Sequence, residues 1–117
     1  MATSARANEL SVETLRAGAQ TVVIVTGRVT VDSSAHLRRC LHEAIGAAPP
    51  AGVVLDFTAA PYLDTSAIAT LLEAAALAQK RSVPLGLIGL GGDARFVAEA
   101  TELDRIFHAL GYEVQFT

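Results

Sequence analysis

The chain has 117 residues, 51% of them apolar, and a formal net charge of −3, which suits one well-filled core and excludes a disordered chain. Its nine Lys and Arg are scattered and make no basic stripe for nucleic acid, and no apolar run approaches the roughly 20 residues of a membrane helix. The start, MATSARANEL, lacks the apolar stretch of a secretory signal, and the single Cys40 can form no internal disulfide, so a cytoplasmic protein without membrane insertion is expected.

Residues 1–8 are small and polar and read as a disordered tail ahead of one domain spanning 9–117. LSVETL at 10–15 alternates and predicts a strand; after a turn at Gly18, TVVIVTG at 21–27 is a β-branched run that predicts a buried one. The short connection makes the two an antiparallel hairpin. Asp32, Ser33 and Ser34 supply helix-start chemistry, and Leu37, Leu41, Ala44 and Ile45 recur at helical spacing through 34–46. Ala47 to Gly52 break that helix, and VVLDF at 53–57 is the next strand, followed by a short polar loop. A second helix is predicted from Ser66 to Lys80, and a strand at 85–89. Gly89 to Asp93 form a loop with Asp93 as helix cap; a helical stretch over 94–110, continuous or interrupted near Thr101, leads to a final strand in YEVQFT. Strands alternating with helices predict an α/β fold: a mixed, mostly parallel sheet built from right-handed crossovers and flanked by helices, with the first strand antiparallel at one side.

Few residues offer chemistry. Gly89-Leu90-Gly91-Gly92-Asp93 lacks the Lys-Ser/Thr of a phosphate-binding P-loop, and His36, His42 and His108 lack metal-ligand spacing. Cys40 falls beside the apolar stripe of its helix and reads as an inert core thiol. Ser66 has an acid beside it and no identifiable base, and there is no Gly-x-Ser-x-Gly elbow, so neither an enzyme nor a cofactor or metal site is expected. Asp64-Thr65-Ser66 stands where a helix begins. Such a terminus has unpaired N–H groups and a partial positive charge, which Asp64 can cap and which a phosphate on Ser66 could also engage.

The stretch VVLDFTAAPYLDTSAIATLLEAAALAQKR, residues 53–81, resembles the STAS domain of bacterial anti-sigma factor antagonists. That family's pattern has a strand ending in Asp, a hydrophobic-Asp pair, then Asp-Ser-Ser-Gly opening a helix. The matching positions here are Asp56, Leu63-Asp64 and Asp64-Thr65-Ser66-Ala67. GRVTVDSSAHLRRCLHEAI at 27–45 and LGLIGLGGDARFVAEATELDRIFHAL at 85–110 extend the likeness over residues 10–110. The resemblance implies a protein-binding regulatory module that docks on an anti-sigma factor of the serine-kinase type and is switched off by phosphorylation of Ser66, with Thr65 a secondary acceptor. Ala67 departs from the family's Gly; it strengthens the helix by up to about 1 kcal/mol but adds a methyl where a kinase's backbone could approach. Asp32, Asp56, Asp64, Thr65 and Ser66 are the implied partner-binding residues. With Ile68 facing the core, Thr70, Glu73 and Leu77 fall on the same outward face as Ser66 and extend that surface. A second role open to the family is an accessory subunit of an ABC lipid-transport system, bound to its ATPase; a stressosome-like scaffold component is a third.

Overall fold

The computed structural model describes residues 2–7 and 10–117. The elements run β1 (Ala2–Ala7), β2 (Leu10–Ala17), β3 (Gln20–Val29), α1 (Ser34–Gly46), β4 (Val53–Leu63), α2 (Thr65–Lys80), β5 (Leu85–Leu90), α3 (Gly92–Ala100), α4 (Leu103–Ala109) and β6 (Glu113–Phe116). The strands form one mixed sheet in the order β1-β2-β3-β4-β5-β6. The pairs β1–β2 and β2–β3 are antiparallel; β3–β4, β4–β5 and β5–β6 are parallel.

Parallel neighbours in sequential order need crossovers of one hand, which return every helix to the same face of the sheet. Burial alternates accordingly. Val23, Val25, Val53, Leu55, Phe57, Leu85 and Leu87 are buried, whereas the intervening Val22, Ile24, Val54 and Ile88 are half-exposed. The core joins that inner face to Leu37, Leu41 and Ile45 of α1, Ala67, Leu71, Ala74 and Ala78 of α2, and Leu103 and Phe107 of α4. The alanines of α2 are small enough for α1 to pack closely against it.

The expected elements are present, with three corrections. The tail expected over 1–8 is a strand at Ala2–Ala7, in register from Ala2↔Leu15 to Ala7↔Leu10; Met1 and Asn8 lie outside the described residues. Its small polar residues carry no apolar period, and the β2 backbone supplies the pairing. The loop expected after Phe57 is a continuation of β4 to Leu63. It pairs Thr26↔Ala59, Arg28↔Tyr62 and Val29↔Leu63 after register shifts that absorb the irregular residues. Asp93 is not a cap: α3 already starts at Gly92, and Gly91 holds the cap position without a side-chain bond. Of the two forms open for 94–110, the interrupted one is present: Glu102 adopts φ 59° and Thr101 Oγ1 turns back to donate to the Val97 carbonyl at 2.8 Å, so the stretch is two helices.

The base of the sheet, where β4 and β5 begin, is closed by main chain. Thr21 N–H donates to the Gly52 carbonyl at 3.0 Å, and Val53 N–H to that of Pro84 at 2.9 Å. Gly52 has φ +85°, and a Cβ there would stand 2.1 Å from the Pro84 oxygen, so only glycine fits. The opposite pole carries the β3–α1 loop and the junction of β4 with α2.

Candidate functional site

At the junction of β4 and α2 the chain turns from extended to helical at a single residue. Asp64 keeps extended dihedrals, φ −106° and ψ −176°, and caps α2 with its side chain. Its Oδ1 accepts from Ser66 N–H at 3.0 Å, Ala67 N–H at 3.1 Å and the Ser66 hydroxyl at 2.5 Å. Oδ2 accepts from Val31 N–H at 2.9 Å, tying the β3–α1 loop to the start of α2. Desolvation opposes ionisation of this carboxyl. The hydrogen bonds from the Ser66 hydroxyl and from the amides of Ala67, Val31 and Ser66 outweigh it and hold the pKa below the usual carboxylate range.

Ser66 itself is half-buried, and Thr65 beside it is exposed. The Ser66 hydroxyl is therefore only partly covered, with its proton held by Asp64. The neighbouring loop is stapled by Ser33, which is buried; its hydroxyl accepts from Thr30 N–H at 3.1 Å and donates to the Arg28 carbonyl at 3.2 Å. That staple holds Val31 and Asp32 outward next to Asp64. Asp32 is exposed, and its amide donates to Thr30 Oγ1 at 3.3 Å.

The structure thus gathers Asp32, Asp64, Thr65 and Ser66 at one pole. It does not bring Asp56 there. Asp56 lies mid-strand in β4, in register with Ile24 and Ile88, and its Oδ1 accepts from Thr58 N–H at 2.9 Å. Eight residues of extended chain separate it from Asp64, on the order of 20 Å. The outward face assigned to α2 is also redrawn. Thr70 is only 8% exposed, with its hydroxyl donated to the Ser66 carbonyl at 3.0 Å, and Leu77 is half-buried. The exposed stripe is instead Thr65, Ala69, Glu73 and Ala76. Glu73 is held by α1: Arg38 Nε donates to its Oε1, and His42 Nε2 lies 2.8 Å from the same oxygen. The Arg38 hydrogen bond lowers the Glu73 pKa against the opposing cost of desolvation, and the Arg38 charge and His42 add to the lowering.

Sequence reasoning missed two features at this surface. Val31, 70% exposed, continues the in-register alternation of Val25 and Val29 and so reads as an inward residue; the strand ends at Val29 and the turn flips it out. Arg28 stacks on the Tyr62 ring at 4.1 Å, a pairing set by the β3–β4 register that no local pattern encodes. Phe96 is 73% exposed on α3, opposite the buried Ala94 and Ala98. Among the described residues, no group of three or more His, Cys, Asp or Glu could hold a metal, and no helix is long and apolar enough to cross a membrane.

The solved structures that this chain resembles share its fold at low identity. An anti-sigma factor antagonist from Mycobacterium paratuberculosis is 18% identical with a TM-score of 0.73, over 98% of this chain and 86% of that one. The anti-sigma factor antagonist SpoIIAA in its unphosphorylated form is 16% identical with a TM-score of 0.59, over 83% of this chain and 96% of its own. A variant of RsbS from Moorella thermoacetica is 24% identical with a TM-score of 0.67, over 91% and 86%. No curated protein sequence matches the chain. The family description "STAS domain" matches residues 11–115, from β2 to β6 and across the whole Asp64–Ser66 junction, and the chain belongs to the STAS domain family.

Proposed function

We propose that the protein is a partner-switching antagonist: unphosphorylated, it docks through the pole around Ser66 on an anti-sigma factor of the serine-kinase type, and phosphorylation of Ser66 ends the docking. The observation that carries this reading is the Ser66 hydroxyl at the mouth of α2, oriented by Asp64 at 2.5 Å and flanked by exposed Thr65 and Val31.

In the phosphorylated step, Ser66 Oγ attacks the γ-phosphorus of ATP supplied by the kinase. The Oγ–P bond forms, the bond to the β-phosphate oxygen breaks, the hydroxyl proton passes to a base of the kinase or to water, and ADP leaves. The transition state is loose, so positioning matters more than a strong base. Asp64 suits that demand: its lowered pKa makes it a poor proton store but a good orienting acceptor. The product carries about −1.5 to −2 charges beside an ionised carboxylate that already uses the Ser66 and Ala67 amides. Two unit charges about 4 Å apart repel by about 1 kcal/mol in water and about 4 kcal/mol at a protein surface. Burying that pair under a partner is unfavourable, which is the switch.

The test is incubation with a purified kinase-type anti-sigma factor and ATP, followed by mass mapping and by affinity measurement on Ser66→Asp. Phosphate on Ser66 and at least a tenfold weaker complex for the variant are expected. A phosphate-free Ser66, or a variant that binds as the parent does, would refute the proposal.

A further inference from the structure

Every helix of this fold arises in a crossover between parallel strands, and the antiparallel end has none of its own. β1, β2 and β3 are joined by hairpins, so α1 is the last element over the inner face on that side. Beneath its outer flank lies a cleft of about 270 Å³, floored by Val12 and Thr14 of β2 and Thr21 of β3, and walled by Cys40, Glu43, Ala44 and Ala47. Alanine at 44 and 47 leaves open the volume that larger aliphatic side chains would fill.

Among the described residues the lining is mainly apolar, with the Thr14 and Thr21 side chains and one charge, Glu43. Burial raises the Cys40 thiol pKa and the carboxylate of Glu43 raises it further, against a smaller opposing effect of Arg39, so the thiol is a neutral wall. Glu43 is exposed at the mouth and has no ion pair among the described residues. Arg39 lies 3.4 Å from His36 Nδ1 through its Nη2 and is not part of the lining. A volume of about 270 Å³ equals about nine waters at about 30 Å³ each, so a molecule of fewer than about ten non-hydrogen atoms fits.

We propose that this cleft is a binding site for a small primary alkylammonium, its aliphatic body against Val12, Ala44 and Ala47 and its ammonium on Glu43. Charge complementarity selects the cation: an alkylcarboxylate of equal length would meet Glu43 with like charge, and an alcohol would gain no ion pair. The site is remote from Ser66 in sequence and element, and its occupancy does not depend on phosphorylation.

The experiment is a titration of the full-length ¹⁵N-labelled chain with hexylamine hydrochloride, followed in amide correlation spectra, with hexanoate and hexanol in parallel. Saturable shifts clustered at Val12, Thr14, Thr21, Cys40 and Ala44 are expected with hexylamine. Glu43→Gln should weaken hexylamine about tenfold and leave hexanol unchanged. Ala44→Leu, which fills the cleft, should abolish both; the spectrum of each variant reports whether it is folded. Ser66→Ala should bind hexylamine like the parent, which separates this site from the docking pole. Hexanoate binding as tightly as hexylamine, an unweakened Glu43→Gln, or no saturable shift up to the amine's solubility limit would overturn the proposal.

Discussion

Replacing Asp64 by Ala removes four hydrogen bonds from one side chain, and the structure fixes what each is worth. Two of them, from the Ser66 and Ala67 amides, are helix capping, and losing a cap costs about 0.5–2 kcal/mol. The Val31 amide loses a charged acceptor but lies at an exposed position where water replaces it, so it adds at most about 1 kcal/mol. The Ser66 hydroxyl can turn to solvent and adds little. The total is about 1–3 kcal/mol, which lowers the urea midpoint by about 0.5–2 M with an unchanged slope. Asp64→Asn keeps an acceptor oxygen and should lose less than half of that. The charge supplies a second readout. Asp64 has a folded-state pKa below its unfolded value, so its contribution is complete above the unfolded value of about 3.9 and disappears as pH falls through the folded one. The gap in stability between parent and Asp64→Asn should therefore close as the pH is taken from 7 down past about 4. Urea denaturation followed by circular dichroism at each pH measures both effects. An Asp64→Ala midpoint within error of the parent would refute the assignment of Asp64 as the junction's organising acceptor.

Two further substitutions probe the scaffold. Gly52→Ala should leave little folded protein, because its Cβ would meet the Pro84 oxygen at 2.1 Å in a left-handed backbone; Gly18→Ala, also left-handed at φ +64° but with nothing within 4 Å, should cost only about 1 kcal/mol, and equal stability of the two variants would contradict the steric argument. Leu71→Ala, at a fully buried position between α2 and the sheet, should cost about 2–5 kcal/mol in the same denaturation assay, and a loss below about 1 kcal/mol would show that the core there is not packed as described.

Much of this architecture is written in local pattern. The β-branched run at 21–27 and the apolar residues at 53–57 and 85–89 are strands because nothing else buries them, and Leu37, Leu41 and Ile45 fix the face of α1. What escaped the sequence depends on partners distant in the chain. β1 exists because β2 offers an open edge, and the far half of β4 because β3 runs beside it through two register shifts. At the candidate site, Asp64, Thr65 and Ser66 were legible as a helix start, since capping is local chemistry. The orientation of α2 was not: Thr70 reads as polar and outward, but its hydroxyl is satisfied by the Ser66 carbonyl, so the residue behaves as a small apolar one and is buried. Asp56 was assigned to the site on the premise that β4 ends near it, and the strand's added length carries it away.

The two poles of the sheet are built from different materials. At the base, main chain meets main chain around Gly52 and Pro84, and the only demand on sequence is that one side chain be missing. At the other pole Val31, Asp32 and Thr65 are exposed, with Ser66 half-buried beside them, and these side chains brace little of the core. Under the proposed docking at this pole, substitutions that retarget it can accumulate at one end while strand alignment is secured from the other, so a lineage can change its binding preferences without re-solving its folding problem.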